Sequence, residues 1–285
     1  MQVAPEPACA ALSRLRRRGA GPRGGAGHER RRVRAALNPA DLTVVVLTKN
    51  EAVRLPRALA GIPSGARVFV LDAHSTDATA AIARDAGAQV EVRRWYGFVD
   101  ARRYALAQVR TPWTLMLDAD EAIDERLASA LLAAPGDVAG YRLRRITALC
   151  GVPIRSAGWS NERLIRLFRT DRASVTAHSV GGGADLHERW TVAGPTADLP
   201  GAILHDSYPT LASYWEKFDR YTSLEAGAIG GSPLRLVRAG FVGAARVLWA
   251  LLRYGGWRDG KLGFFVAFAS GWYPVVVQWK ALRAR

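Results

Sequence analysis

The sequence predicts an α/β fold with a mostly parallel sheet covered by helices on both faces, and three observations predict it. Apolar, β-branched runs recur along the chain with helix-like segments between them. The first two runs are continuously apolar rather than alternating, the mark of strands buried on both faces. With 49% hydrophobic residues in 285, the chain can bury a large core.

The elements follow in order. Leu42-Thr43-Val44-Val45-Val46-Leu47 is the first buried strand, and Val53, Leu55 and Leu59 give helical spacing over 51–61. Arg67 to Leu71 is a second strand ending at Asp72, and Ser75-Thr76-Asp77 supplies capping chemistry for an alanine-rich helix to Ala86. Gln89 to Val92 alternates as a third strand, 99–109 reads as helix, and Trp113 to Leu117 is a fourth strand ending at Asp118. Beyond residue 139 come strand-like pieces at Tyr141 to Ile146, Leu164 to Phe168 and Ala202 to His205, then helices over 210–229 and 234–253. Strand alternating with helix implies right-handed crossovers, and such sheets bind ligands beyond the carboxyl ends of their strands.

Net charge is +15, and its placement matters more than its size. Residues 1–40 hold nine arginines against Glu6 and Glu29, and residues 235–285 hold nine basic residues against Asp259. The intervening 41–234 carries 22 basic and 22 acidic residues, so the core is neutral. That distribution argues against nucleic acid, whose groove would concentrate the excess within the folded core. Basic ends beside apolar sequence fit an anionic membrane surface. Cys9 and Cys150 offer neither metal spacing nor a disulfide framework, so the expected compartment is the cytoplasm.

Asp118-Ala119-Asp120-Glu121 is the sharpest chemical signal. Side chains at i and i+2 beyond a strand project to the same side, so both carboxylates can meet at one point. Two hard oxygen ligands suit Mg²⁺ or Mn²⁺, which also binds phosphate. The plain alternative is a solvated acidic turn capping a helix near Asp124. Asp72 stands where a carboxylate can accept a uracil imide or a ribose hydroxyl, or simply cap the turn after it. Thr48-Lys49-Asn50-Glu51 ends the first strand at the rim of the same base pocket. His187-Glu188 follows Gly181-Gly182-Gly183, where flexible backbone beside a carboxylate suits a general base. His205 ends an apolar strand, a position more often structural than ligating.

Together these residues resemble the family 2 glycosyltransferases, which have the GT-A fold, and more closely the bacterial branch containing lipopolysaccharide-core β-glucosyltransferases. The likeness covers roughly 42–280. It rests on Val46 to Glu51, Val70 to Thr79, Leu117 to Glu121, Gly158-Trp159, Arg166 to Arg169, Leu186 to Glu188 and Leu204 to Tyr208, in that order. It implies a Rossmann-like sheet and an inverting transfer from a nucleotide-diphosphate sugar, with Glu188 as the base. Thr48, Asn50, Glu51, Asp72, Arg102 and Asp118 are then the donor-binding set. His205 becomes a metal ligand beside Asp118 and Asp120, with His187 its competitor. Where the branch shows Gly-Phe-x-x-Gln-Lys-Asn, this chain has Gly97-Phe98-Val99-Asp100-Ala101-Arg102-Arg103, so Arg102 keeps a cation for the diphosphate while Gln and Asn are lost.

The expected organisation is a disordered basic extension over 1–40, a catalytic domain over 41–231 and amphipathic helices over 232–285. On a helix from Ser232 to Arg253, Arg235, Arg238, Arg246 and Arg253 share one arc, the pattern of an interfacial helix on anionic lipid. Residues 262–279 are uncharged, and Gly271 and Pro274 are expected to break them into a surface-lying or re-entrant hairpin. The expected function is transfer of a hexose, from a UDP-sugar, to a cell-envelope glycan or lipid-linked acceptor at the inner face of the membrane. A nucleotidyltransferase is the enzymatic rival, but the loop after the first strand lacks the Gly-rich, basic sequence those enzymes use. The rival from another class is a non-catalytic basic protein binding membrane or nucleic acid on a degenerate nucleotide-binding fold, against which the neutral core and intact acidic motif count.

Overall fold

The computed structural model describes residues 36–159, 162–178 and 187–284, with the backbone alone at 177, 178, 187 and 188. The expected extension therefore lies outside the described residues up to position 35. Order is already present at Leu37, which is buried and donates its N–H to Ala134 O at 3.1 Å.

The elements are β1 (Leu42–Thr48), α1 (Leu55–Ala60), β2 (Arg67–Asp72), α2 (Thr79–Asp85), β3 (Gln89–Val92), α3 (Phe98–Gln108), β4 (Trp113–Asp118), β5 (Glu121–Ile123) and α4 (Glu125–Leu132). They continue with β6 (Gly140–Leu149), β7 (Val152–Pro153), β8 (Arg163–Arg169), β9 (Ala173–His178), β10 (His187–Val192) and β11 (Thr196–Tyr208). Three helices close the chain: α5 (Leu211–Ala228), α6 (Pro233–Leu248) and α7 (Gly260–Arg283).

Among the described residues one sheet has nine strands in the order β3-β2-β1-β4-β8-β6-β11-β5, with β7 beside β6. β3, β2, β1 and β4 are mutually parallel, as are β6 and β11. β8 runs antiparallel to both β4 and β6 and joins the two parallel blocks. The α/β class is as the sequence predicts, but the sheet is mixed: β1–β2, β1–β4, β2–β3 and β6–β11 pair in parallel, while β4–β8, β6–β8, β6–β7 and β5–β11 are antiparallel.

All seven residues of β1 are buried, and their alternation divides the core. Leu42, Val44 and Val46 face a cluster with Leu55 of α1, Ala83 of α2 and Leu127 and Leu131 of α4. Val45 and Leu47 face another with Ala101 and Ala105 of α3 and with Val175 and Trp190 of β9 and β10. Helices cover both faces because consecutive side chains of a strand point to opposite sides.

Local departures from the expected pattern have local causes. α1 starts at Leu55 rather than 51: Asn50 sits at φ 54° and Pro56 occupies the first turn, where its missing N–H costs nothing. α2 starts at Thr79, and Asp77 accepts that residue's N–H at 3.0 Å from outside the helix. His187-Glu188, expected in a flexible stretch, opens β10, which pairs with β9 as a separate two-stranded ribbon.

α7 runs unbroken through Gly271 and Pro274, unlike the expected interrupted hairpin. Its Val266 and Ala269 share a cluster with Tyr214 and Phe218 of α5 and with Leu149 and Ile154. Asp259 fixes its start by accepting the N–H groups of Arg155 and Ser156 at 3.2 and 2.8 Å. Neighbouring helices hold α7 straight despite the donor lost at Pro274. α6 crosses α7 at Gly243 and Gly271, where a Cβ on Gly243 would stand 2.3 Å from Gly271 O. Only two glycines permit that approach.

Candidate active site

Parallel register brings the ends of three strands to one edge. Thr48 of β1 lies beside Asp72 of β2, and Leu47 lies beside Asp118 of β4. A cleft of about 1040 Å³ opens there, lined by Thr48, Glu51, Arg102, Asp118, Asp120 and His205 among others. That is at the upper end of small-molecule sites and leaves room for two substrates.

Asp118 is clamped by two arginines. Arg102 Nη2 donates to Oδ1 at 2.9 Å and Arg166 Nη2 to Oδ2 at 3.1 Å. Burial alone would raise the Asp118 pKa, but Arg102 and Arg166 together hold its carboxyl well below the ordinary aspartate range. Arg166 also donates to Glu121 Oε1 at 3.0 Å, and Arg145 reaches the same oxygen at 3.4 Å. Glu121 is fully buried and accepts the Asp118 N–H at 3.1 Å, which fixes the acidic turn. Arg102, expected to hold the diphosphate, is buried on α3, lines the cleft and donates to Asp118.

Asp120 has a different partner. His205 Nε2 lies 3.3 Å from its Oδ2, and Arg54 Nη1 lies 4.0 Å away. Burial pushes the Asp120 pKa up, and the His205 hydrogen bond and charge outweigh it to leave a net lowering. His205 is brought here by β11, whose Cα register sets it opposite Glu121 of β5. Its Nδ1 is buried and has no hydrogen-bond partner among the described residues.

Among the described residues no three His, Cys, Asp or Glu side chains are gathered as a metal cage. Asp118, expected as a ligand, directs one carboxylate oxygen at each of two arginines. Asp120 and His205 remain as a carboxylate and an imidazole side by side. Such a pair fits a divalent cation that takes its other ligands from substrate phosphates and water.

Of the expected donor-binding residues, Thr48 lines the cleft and its buried Oγ1 has no hydrogen-bond partner among the described residues. Glu51 lines it too, held by Arg54 through two bonds of 2.6 Å. Burial raises the Glu51 carboxyl against the opposing Arg54 charge. Asn50 and Asp72 stand behind the lining. Asp72 is buried and accepts the Ser75 N–H at 2.8 and 3.1 Å, while Asn50 Oδ1 accepts the Thr76 N–H at 2.8 Å. Both knit the loops after β1 and β2 together. Glu188 lies opposite Ala177 in the β9–β10 ribbon, with its side chain outside the described residues, as are Gly181–Gly183.

Sequence reasoning placed none of Arg54, Arg145, Arg166, Lys217 or Tyr273 in the cleft. Arg166 carried a signal, since it interrupts the apolar strand Leu164-Ile165-Arg166-Leu167-Phe168 and a buried arginine there demands carboxylates. Lys217 and Tyr273 come from α5 and α7 and line the cleft with Trp159 and Tyr208. Lys217 Nζ donates to Ser207 O at 2.8 Å, and burial lowers its pKa.

Comparison with known proteins finds several likenesses. Residues 43–146 match the model of glycosyl transferase family 2. Over 260 residues, 86% of this chain and 94% of the relative, the sequence is 26% identical to lipopolysaccharide core biosynthesis glycosyltransferase LpsC of Rhizobium meliloti. An uncharacterized glycosyltransferase of Rickettsia bellii is 38% identical over 87 residues, 30% of each chain. Among solved structures, a mannosyltransferase from Pyrobaculum calidifontis in complex with GDP-Man and Mn²⁺ aligns with TM-score 0.46 and 16% identity, covering 85% of this chain and 86% of that one. Residues 43–146, with the acidic strand end they contain, are thus similar to glycosyl transferase family 2, and the likeness to LpsC extends over most of the chain.

Proposed function

We propose that the protein transfers a hexose from a nucleotide-diphosphate sugar, a UDP-sugar by preference, to a cell-envelope glycan or lipid-linked acceptor with inversion at the anomeric carbon. The observation that carries the reading is the Asp120–His205 pair set beside the arginine-clamped Asp118 at the carboxyl ends of the parallel strands β1, β2 and β4. The near full-length likeness to LpsC supports a lipopolysaccharide-type acceptor.

In this reading Asp120 and His205 hold Mg²⁺ or Mn²⁺. When bound, the cation supplies charge neutralisation for the departing diphosphate. Thr48 and Glu51 line the nucleotide end, and Asp72 and Asn50 fix the loops that shape it. Asp118 holds Arg102 and Arg166 in place, so that two cations face the cleft with their charge already balanced. Glu188 takes the proton from the acceptor hydroxyl as that oxygen attacks. The enzyme works in the cytoplasm as a peripheral protein on the inner membrane face, where envelope acceptors are held.

Nucleotide release from a panel of UDP-, GDP- and dTDP-sugars, with Mn²⁺, Mg²⁺ or EDTA, tests the reading. Cation-dependent release from at least one donor is expected. No release from any donor with either metal would overturn it.

A further inference from the structure

α6 is a 16-residue helix in which only Ala239 and Gly243 are buried. At about 100° per residue, Leu234, Val237, Phe241 and Leu248 fall within one arc of roughly 60°. These four are 80%, 59%, 75% and 59% exposed. Arg235, Arg238 and Arg246 fill the adjoining arc, and the buried Ala239 and Gly243 lie beyond them. The helix therefore has three faces: packed, cationic and apolar. α7, crossing α6 at the paired glycines, exposes Phe264, Phe268 and Trp272 at four-residue spacing, a second apolar stripe. An apolar surface of this extent on a soluble domain marks a contact.

The occupant follows from charge and from what holds α7. Residues 235–285 carry a net +8, so an anionic surface is favoured. Gly256–Arg283 is long and apolar enough to cross a bilayer, with a mean hydropathy of 1.3. Its other side is committed to the domain. Lys280 Nζ lies 2.6 Å from Asp219 Oδ1 and 2.8 Å from Thr222 Oγ1, and the Tyr273 hydroxyl donates to Glu225 at 2.7 Å. A crossing helix would strip those bonds and bare Tyr214 and Phe218.

We propose that the α6–α7 hairpin is a monotopic membrane anchor: Leu234, Phe241, Phe268 and Trp272 enter one leaflet and Arg235, Arg238 and Arg246 bind lipid phosphates, without either helix crossing. This deepens the reading of a membrane-held acceptor and rests on it for its purpose. Trp272 is exposed while its neighbour Tyr273 lines the cleft, so docking brings the α7 wall of the cleft near the bilayer surface.

The test is flotation of the full chain with phosphatidylglycerol or phosphatidylcholine vesicles. Wild type is expected to float with the anionic vesicles at low salt and to be released by high salt. Arg235→Gln/Arg238→Gln/Arg246→Gln should weaken partitioning about a hundredfold, the scale of three lost basic residues at an anionic surface. Leu234→Ser/Phe241→Ser/Phe268→Ser, all exposed positions, should abolish flotation with the circular dichroism spectrum unchanged. Equal flotation of wild type and both variants, resistance of wild type to high salt and carbonate, or no flotation at all overturns the proposal. So does a wild-type dimer that the serine variant makes monomeric with flotation unaltered, which would assign the face to a second copy. Nucleotide release without vesicles is measured on the same samples. A protein that floats yet releases nothing sinks the catalytic reading and leaves the anchor standing.

Discussion

His205 Nε2 stands 3.3 Å from Asp120 Oδ2, although the two residues are 85 positions apart, one inside β11 and the other in the turn between β4 and β5. β11 pairs with β5 on one side and β6 on the other, and the Asp206 N–H donates to Asp120 O at 2.9 Å; together these carry the imidazole to the acidic turn. Asp120→Asn and His205→Ala are each expected to weaken Mn²⁺-dependent nucleotide binding and to lower turnover by at least about a hundredfold, the scale of a lost charge-stabilising group. Isothermal titration of UDP with and without Mn²⁺ checks this. Unchanged metal dependence in both variants removes the pair from the site.

Glu121 makes the same acidic turn but does different work. It is fully buried and accepts from Arg166, Arg145 and the Asp118 N–H. Glu121→Ala leaves two arginines without their shared carboxylate, and removing one partner of a buried ion pair costs about 3–5 kcal/mol. Denaturant unfolding should show that loss, with activity falling only through the folded fraction. A stable variant without activity would instead place Glu121 in the chemistry.

Glu188→Gln tests the base. The fold should be unaffected, since Trp190 anchors the ribbon against Phe168 with ring centroids 4.6 Å apart. Donor affinity should hold while kcat falls by about a hundredfold or more. Normal turnover in Glu188→Gln with a dead Asp185→Asn would move the role to Asp185.

The crossing of α6 and α7 tolerates no side chain at Gly271, where a Cβ would meet Val247 Cγ2 at 2.4 Å and Gly243 O at 2.6 Å. Gly271→Ala should destabilise the protein by about 1–3 kcal/mol, the usual cost of overpacking. Thermal unfolding reads this directly. A melting temperature equal to wild type would mean that the helices separate at little cost.

The parallel half of the fold was legible because each of its strands is short, apolar and bounded by its own signals, from Leu42 to Asp118. The later half was less so. β8 is reversed and reads like any other strand, and nothing in the Leu204-His205-Asp206 sequence says that β11 lies against β5. The acidic motif was equally plain, yet its partners were not. That Asp118 serves two arginines and Asp120 a histidine depends on contacts between residues 16 to 85 positions apart. Local pattern carries no record of such distances. Pro274 shows the opposite failure: a strong local breaker was overruled because α5 and α6 already hold α7 on either side of it.

The reversed strand β8 has a consequence for how the molecule assembles. It pairs on one side with β4, some 50 residues earlier, and on the other with β6, and so hydrogen-bonds the two parallel blocks together. Arg166 is carried by that strand, and with it the bonds to Asp118 and Glu121. Long-range pairings of this kind form late, after the loop entropy of the intervening chain has been overcome. Closing the sheet and balancing the charges of the acidic turn are therefore one event. A nascent or heat-loosened chain with β8 out of place keeps Arg102 beside Asp118 and Arg145 beside Glu121 but lacks Arg166, the one cation bonded to both carboxylates, and so has an incomplete site. Loss of nucleotide binding and loss of the sheet should then fall on a single transition.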